Sequence, residues 1–129
     1  MQCWLYMLWD LFKHVYGYRH VRPVSITGIV LKVYGTASDG DYTFDIKVNQ
    51  PLDYRNAKFD KLHCEITPCN RNQLKSFIEE LEYLKKGLEK GDHGINVEIN
   101  GCLTWDPPHL GGPDCNLEIH PVLNAKVLN

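Results

Sequence analysis

Between Asn70 and Gly91 the chain sets Leu74, Phe77, Ile78, Leu81, Leu84 and Leu88 at spacings of three and four, the clearest periodicity it contains. That spacing lines six apolar side chains along one stripe of a helix, and such a stripe must lie on an apolar surface. Asn70 or Asn72 can cap the start and Gly91 can stop the end. Glu79, Glu80 and Glu82 precede Lys85, Lys86 and Lys90, the order that suits the helix dipole. A doubly covered parallel sheet needs more helices than this chain provides, so that layout is set aside.

The flanking residues read as strands. Val24 to Tyr34 is a long β-branched run broken by Gly28, which suggests a bulge or a sharp coil. Thr36 to Gly40 is a turn, with Asp39-Gly40 tolerating positive φ. Tyr42, Phe44, Ile46 and Val48 then alternate with Thr43, Asp45 and Lys47. After a polar connection holding Pro51 and Tyr54, Leu62, Cys64 and Ile66 alternate with His63, Glu65 and Thr67, and Pro68 ends the run. Beyond the helix, Ile95, Val97 and Ile99 alternate with polar residues, Gly101 interrupts, and Cys102 to Trp105 continues the strand. Asp106 to Asn116 holds three prolines and two glycines and reads as irregular. Leu117 to Leu128 is a last strand in which Pro121 forces an edge, bulge or bend. The order β, β, β, helix, β, β predicts a mainly β domain over residues 23–129. Its expected form is a five-stranded OB-fold, a Greek-key barrel with one helix between strands 3 and 4 closing one end.

Residues 1–22 read separately, as an apolar N-terminal helix and a basic connection. Trp4, Leu8, Leu11 and Val15 share one helical face, while Leu5, Trp9 and Phe12 make another. A helix apolar on both sides needs cover, from the rest of the domain or from a second copy, so self-association through it is an expectation. Membrane contact is not expected, because the helix's polar face holds no cations and no run approaches spanning length. The five cysteines are odd in number, and the opening residues lack the basic n-region and cleavage site of a secretory signal. A cytoplasmic, reducing setting with free or metal-bound thiols is therefore expected. With 129 residues and 43% apolar composition, one core is within reach. Lys+Arg 14 against Asp+Glu 16 gives a net charge of −2, which argues against a protein living on general phosphate attraction.

Five segments stand in a familiar order: Ile26-Thr27-Gly28-Ile29-Val30, Asp39-Gly40-Asp41-Tyr42-Thr43-Phe44, Glu65-Ile66-Thr67-Pro68, Trp105-Asp106 with His109, and Glu118-Ile119-His120-Pro121-Val122. In this the chain resembles a family of uncharacterised prokaryotic OB-fold proteins whose pattern carries DGD…F and a closing W-D…H…EIHPV. The resemblance covers roughly residues 24–128 and implies the barrel fold. It implies no activity.

Two pairs of polar residues share a face on their strands: His63 with Glu65, and Glu118 with His120. If those faces meet, two imidazoles and two carboxylates converge, with Asp106 and His109 in the adjoining loop. Such a donor set suits zinc or another divalent metal, which can activate water. Ordinary polar alternation on exposed strands is the plainer explanation. Asp39-Gly40-Asp41 reads as a hairpin turn rather than as the acidic turn of a metal-dependent nuclease, because Asp-Gly is what a tight hairpin asks for and only Arg55 and Arg71, in a connection and a helix start, lie beyond the first strand.

Single-strand binders combine cations with aromatic stacking platforms, and Tyr34, Tyr42, Lys47, Tyr54, Arg55 and Lys58 are the candidates for that role. Residues 13–35 carry a local +4 and residues 92–129 a local −4, which permits a focused groove. The sequence thus leads to a small non-catalytic OB-fold module that binds single-stranded nucleic acid or a protein partner. The alternative is a metal-binding protein or metal-dependent hydrolase using His63, Glu65, Asp106, His109, Glu118 and His120.

Overall fold

The computed structural model describes residues 22–54, 56–105 and 117–128. The predicted N-terminal helix, Arg55, Asp106 and His109 lie outside the described residues. The described chain is mainly β, with five strands and one α-helix. The strands are β1 (Arg22–Thr36), β2 (Tyr42–Tyr54), β3 (Ala57–Ile66), β4 (Asn96–Trp105) and β5 (Leu117–Val127). A short 3-10 turn, Pro68–Asn70, and the helix α1 (Lys75–Glu89) stand between β3 and β4, where the periodicity places a helix.

The strands pair in the order β1-β2-β3-β5-β4, and β1 also pairs with β4. All ladders are antiparallel except the short parallel one that joins β3 to β5 through His63↔Glu118 and Cys64↔Ile119. The period-two residues do as their pattern requires. Phe44, Ile46, Leu62, Cys64, Ile66, Val97, Ile99, Leu103 and Ile119 turn inward and are fully buried. Helix α1 lays Phe77, Leu81 and Leu84 on this core, with the Phe77 ring 5.7 Å from that of Phe44. No helix among the described residues is long and apolar enough to cross a membrane.

Several expectations need correction. Strand β1 begins at Arg22, which pairs with Leu103, two residues before the β-branched run that starts at Val24. Gly28 does not mark a bulge: the register holds through it and slips instead at Val30/Lys32 and Val33/Gly35. Its missing side chain is explained by close approach, since a methyl there would collide with the Lys47 carbonyl oxygen. The supposed connection around Pro51 and Tyr54 is strand, because β2 and β3 extend into a long hairpin with one slip between Lys47 and Leu52. Gly101 does not interrupt β4, which runs through it with slips on both sides; these face the stretch around Pro121, where a bend was expected. Neither Asn70 nor Asn72 caps α1. Leu74 stands at that position, and Asn70 instead donates its amide to the Val122 carbonyl at 3.0 Å, tying the 3-10 turn to β5.

Cys64 and Cys102 are buried in their strands, as the strand pattern suggests. Cys69 is disulfide-bonded, so the expectation of free or metal-bound thiols fails there.

Candidate metal centre

Residues that alternate with the core on β2, β3 and β5 point away from it, and the ladders decide which of them meet. Asp45 pairs with His63, His63 with Glu118, and Glu118 with Thr104, which draws one polar row across four strands. Two residues further along β3 and β5 stand Glu65 and His120, on the same side. Asp41 enters from the turn before β2. Gly40 adopts φ +92°, the Asp41 N–H donates to Asp39 Oδ1 at 3.0 Å, and the Ala37 N–H donates to the Asp41 carbonyl at 2.8 Å. Asp39-Gly40 is therefore a turn, as read, and the turn also delivers Asp41 to the cluster.

This outward row is not solvated in the usual way. Asp41, Asp45, His63 and Glu118 are buried, and the side chains of Glu65 and His120 are only 16% and 13% exposed. Buried carboxylates and imidazoles need partners, and here they hold one another. The Tyr34 hydroxyl donates to Asp45 Oδ2 at 2.7 Å. Asp45 Oδ1 lies 2.7 Å from His63 Nδ1, and His63 Nε2 lies 3.5 Å from Glu65 Oε1. Glu65 Oε2 is 2.8 Å from His120 Nδ1, and His120 Nε2 is 3.5 Å from Asp41 Oδ2. Glu118 Oε2 approaches His120 Nδ1 at 3.8 Å, and Lys61 reaches Asp45 at 3.5 Å from the rim. Acid and imidazole alternate along the whole chain.

The contacts set the charges. Burial works against a positive His63, yet hydrogen bonds to Asp45 and Glu65 and the charges of both push it up to about 10. Burial alone raises Asp45; hydrogen bonds from His63 and Tyr34, with the charges of His63 and Lys61, outweigh this and hold it below the usual range. Burial likewise opposes ionisation of Glu65, but hydrogen bonds and charge from His120 and His63 depress it far below an ordinary glutamate. These contacts favour the protonated form of His63, which then serves as a counter-charge to Asp45 and Glu65.

Asp41, Glu65 and His120 each offer a donor atom, and these three atoms lie within 4.8 Å of one another. Two ligands bonded at about 2.1 Å to a tetrahedral ion sit about 3.4 Å apart. The 3.5 Å between His120 Nε2 and Asp41 Oδ2 is long for a hydrogen bond and fits that spacing. Of the predicted metal residues, His63, Glu65, Glu118 and His120 are brought together, while Asp106 and His109 lie outside the described residues. Asp41 and Asp45 were missed. The β2–β3 pairing of Asp45 with His63 is the signal that finds one of them, and it depends on a register that alternation alone does not supply.

The predicted ligand-binding residues do not converge. Tyr42 is a core residue whose hydroxyl donates to Glu82 at 2.7 Å, and burial and that carboxylate push its ionisation well above the usual range. Tyr54 is buried and stacks on Trp105, with ring centroids 5.7 Å apart. Lys58 is exposed at the far hairpin beside Asp53, and Arg55 lies outside the described residues. Only Tyr34 and Lys47 stand exposed on the outer side of the sheet near the polar row. No protein-family model, curated protein or solved structure matches this chain.

Proposed function

We propose that this chain is a divalent-metal-binding protein built on an OB-fold barrel, with Asp41, Glu65 and His120 as ligands. The observation that carries the reading is the meeting of these three donor atoms within 4.8 Å, contributed by three different parts of the chain. Among the described residues the cluster holds four carboxylates, Asp41, Asp45, Glu65 and Glu118, against two imidazoles. It keeps an acidic excess of two even with both imidazoles protonated. Two oxygens and one nitrogen suit zinc, manganese or ferrous iron. Three protein ligands leave a coordination position open, and the chemistry then within reach is activation of bound water. Asp45 and His63 orient Glu65 from behind, as outer partners commonly do for metal ligands. The ring of strand pairings and the helix between β3 and β4 support the OB-fold assignment. Titration of chelator-treated protein with Zn²⁺ and Mn²⁺ tests the reading. One ion bound per chain, lost in Glu65→Ala, supports it; no binding of either ion rejects it.

A second reading is a surface for single-stranded nucleic acid, favoured by one observation. Tyr34 is 43% exposed, Lys32 lies 4.7 Å from its ring centroid, and exposed Leu31 stands beside them on β1. Lys47 and Lys61, paired across β2 and β3, extend the cationic side. Binding of an oligonucleotide at low salt, weakened in Tyr34→Ala, is the expected outcome for that reading. Protein partners and self-association through residues 1–22 have no support from the described residues. Cytoplasmic residence rests on the odd cysteine count and the character of the opening residues, and the disulfide at Cys69 weighs against it.

A further inference from the structure

Thr67 carries a hydroxyl that is fully buried and makes no hydrogen bond. It stands at the N-cap of the Pro68–Asn70 turn, where a threonine hydroxyl ordinarily accepts a backbone N–H, yet it makes no such bond. Pro68, the next residue, has no N–H to give. Burying a hydroxyl without a hydrogen-bond partner is costly, so one kept in a native fold asks for a partner.

Its position says which partner. The backbone at Thr67 is extended, with φ −72° and ψ 157°, so it continues the alternation of β3 and shares the outward side with Glu65. The β2–β3 ladder pairs Thr43 with Glu65 and ends at Tyr42 and Ile66, so Asp41 and Thr67 are the residues that stand next to its last pair on the two chains. Two of the three ligands named above are thus immediate neighbours of a buried hydroxyl without a partner.

We infer that Thr67 Oγ1 is the fourth protein ligand of the metal centre. This rests on the metal-binding reading above and deepens it. The donor set becomes three oxygens and one nitrogen, hard enough to hold Mn²⁺. Asp41 and Glu65 supply charge, His120 the nitrogen, and Thr67 a neutral oxygen from the floor of the site.

Mn²⁺ titration of chelator-treated wild type, Thr67→Val and Thr67→Ser, followed by the loss of the free-ion spin-resonance signal, tests this. Thr67→Val keeps the side-chain shape and removes the oxygen; it is expected to weaken Mn²⁺ binding about tenfold or more. Thr67→Ser keeps the oxygen and is expected to stay within about threefold of wild type. In metal-free protein, Thr67→Val is expected to melt at or above the wild-type temperature, because it deletes a hydroxyl with no partner. Wild-type-like Mn²⁺ binding by Thr67→Val, or a marked drop in its metal-free melting temperature, overturns the assignment and leaves the three-ligand centre standing. Failure of the wild type to bind any divalent ion removes the centre itself.

Discussion

Asp45 and His63 face each other on neighbouring strands and are joined Oδ1 to Nδ1 at 2.7 Å, both out of reach of bulk water. This pair anchors the polar row. It favours the charged form of His63, whose Nε2 stands 3.5 Å from Glu65, the carboxylate at the centre of the cluster.

Breaking the pair takes the 2.7 Å carboxylate contact from buried His63 and leaves it the longer one to Glu65 at 3.5 Å, which costs about 1–3 kcal/mol. Asp45→Asn is therefore expected to lower unfolding free energy by that order, read from urea denaturation at neutral pH. Wild-type stability in the variant contradicts the geometry.

The same groups set a pH dependence for the metal-free protein. His63 is raised in the folded state, so its contribution is complete below its ordinary value of 6.5 and is lost as pH rises toward about 10. Asp45 is lowered, so its contribution is present above the ordinary carboxylate range and is lost in acid. The groups facing His63 are Asp45 and Glu65 directly, with Tyr34 and Glu118 beside it. Stability is expected to peak at mildly acidic pH and decline from pH 7 to 10. His63→Gln is expected to flatten the alkaline decline, measured by denaturation across that range.

A methyl at Gly28 meets the Lys47 carbonyl oxygen inside a ladder, and backbone cannot step aside as a side chain can. Gly28→Ala is expected to cost about 1–3 kcal/mol. Little change in melting temperature contradicts the close packing of β1 on β2.

Much of the fold was legible because burial leaves a periodic trace. The stripe from Leu74 to Leu88 located α1, and alternation through Phe44, Cys64 and Val97 located the cores of three strands. What escaped were features that no local pattern records. The hairpin extension through Tyr54 depends on pairing with Ala57–Phe59, and the slip between Val30 and Lys32 shifts the parity of β1 so that Tyr34 faces outward, where its hydroxyl reaches Asp45. Asp41 was read only as the residue after a turn, which it is. Its meeting with His120 depends on the parallel contact of β3 with β5, between residues more than fifty positions apart in sequence. His63 joins the cluster, but its closest partner, Asp45, lies across the ladder, where alternation along one strand does not place it. Tyr42 was taken for a binding platform because aromatic residues serve on either side of a sheet, and only the strand's inward parity separates the two uses.

The central claim is that Asp41, Glu65 and His120 hold one divalent ion. Anomalous diffraction from crystals grown with Mn²⁺ tests it most directly. The account predicts a single strong peak about 2.1–2.3 Å from a carboxylate oxygen of Asp41, one of Glu65 and a ring nitrogen of His120. A map with no peak there, at Mn²⁺ concentrations that occupy other sites, contradicts it.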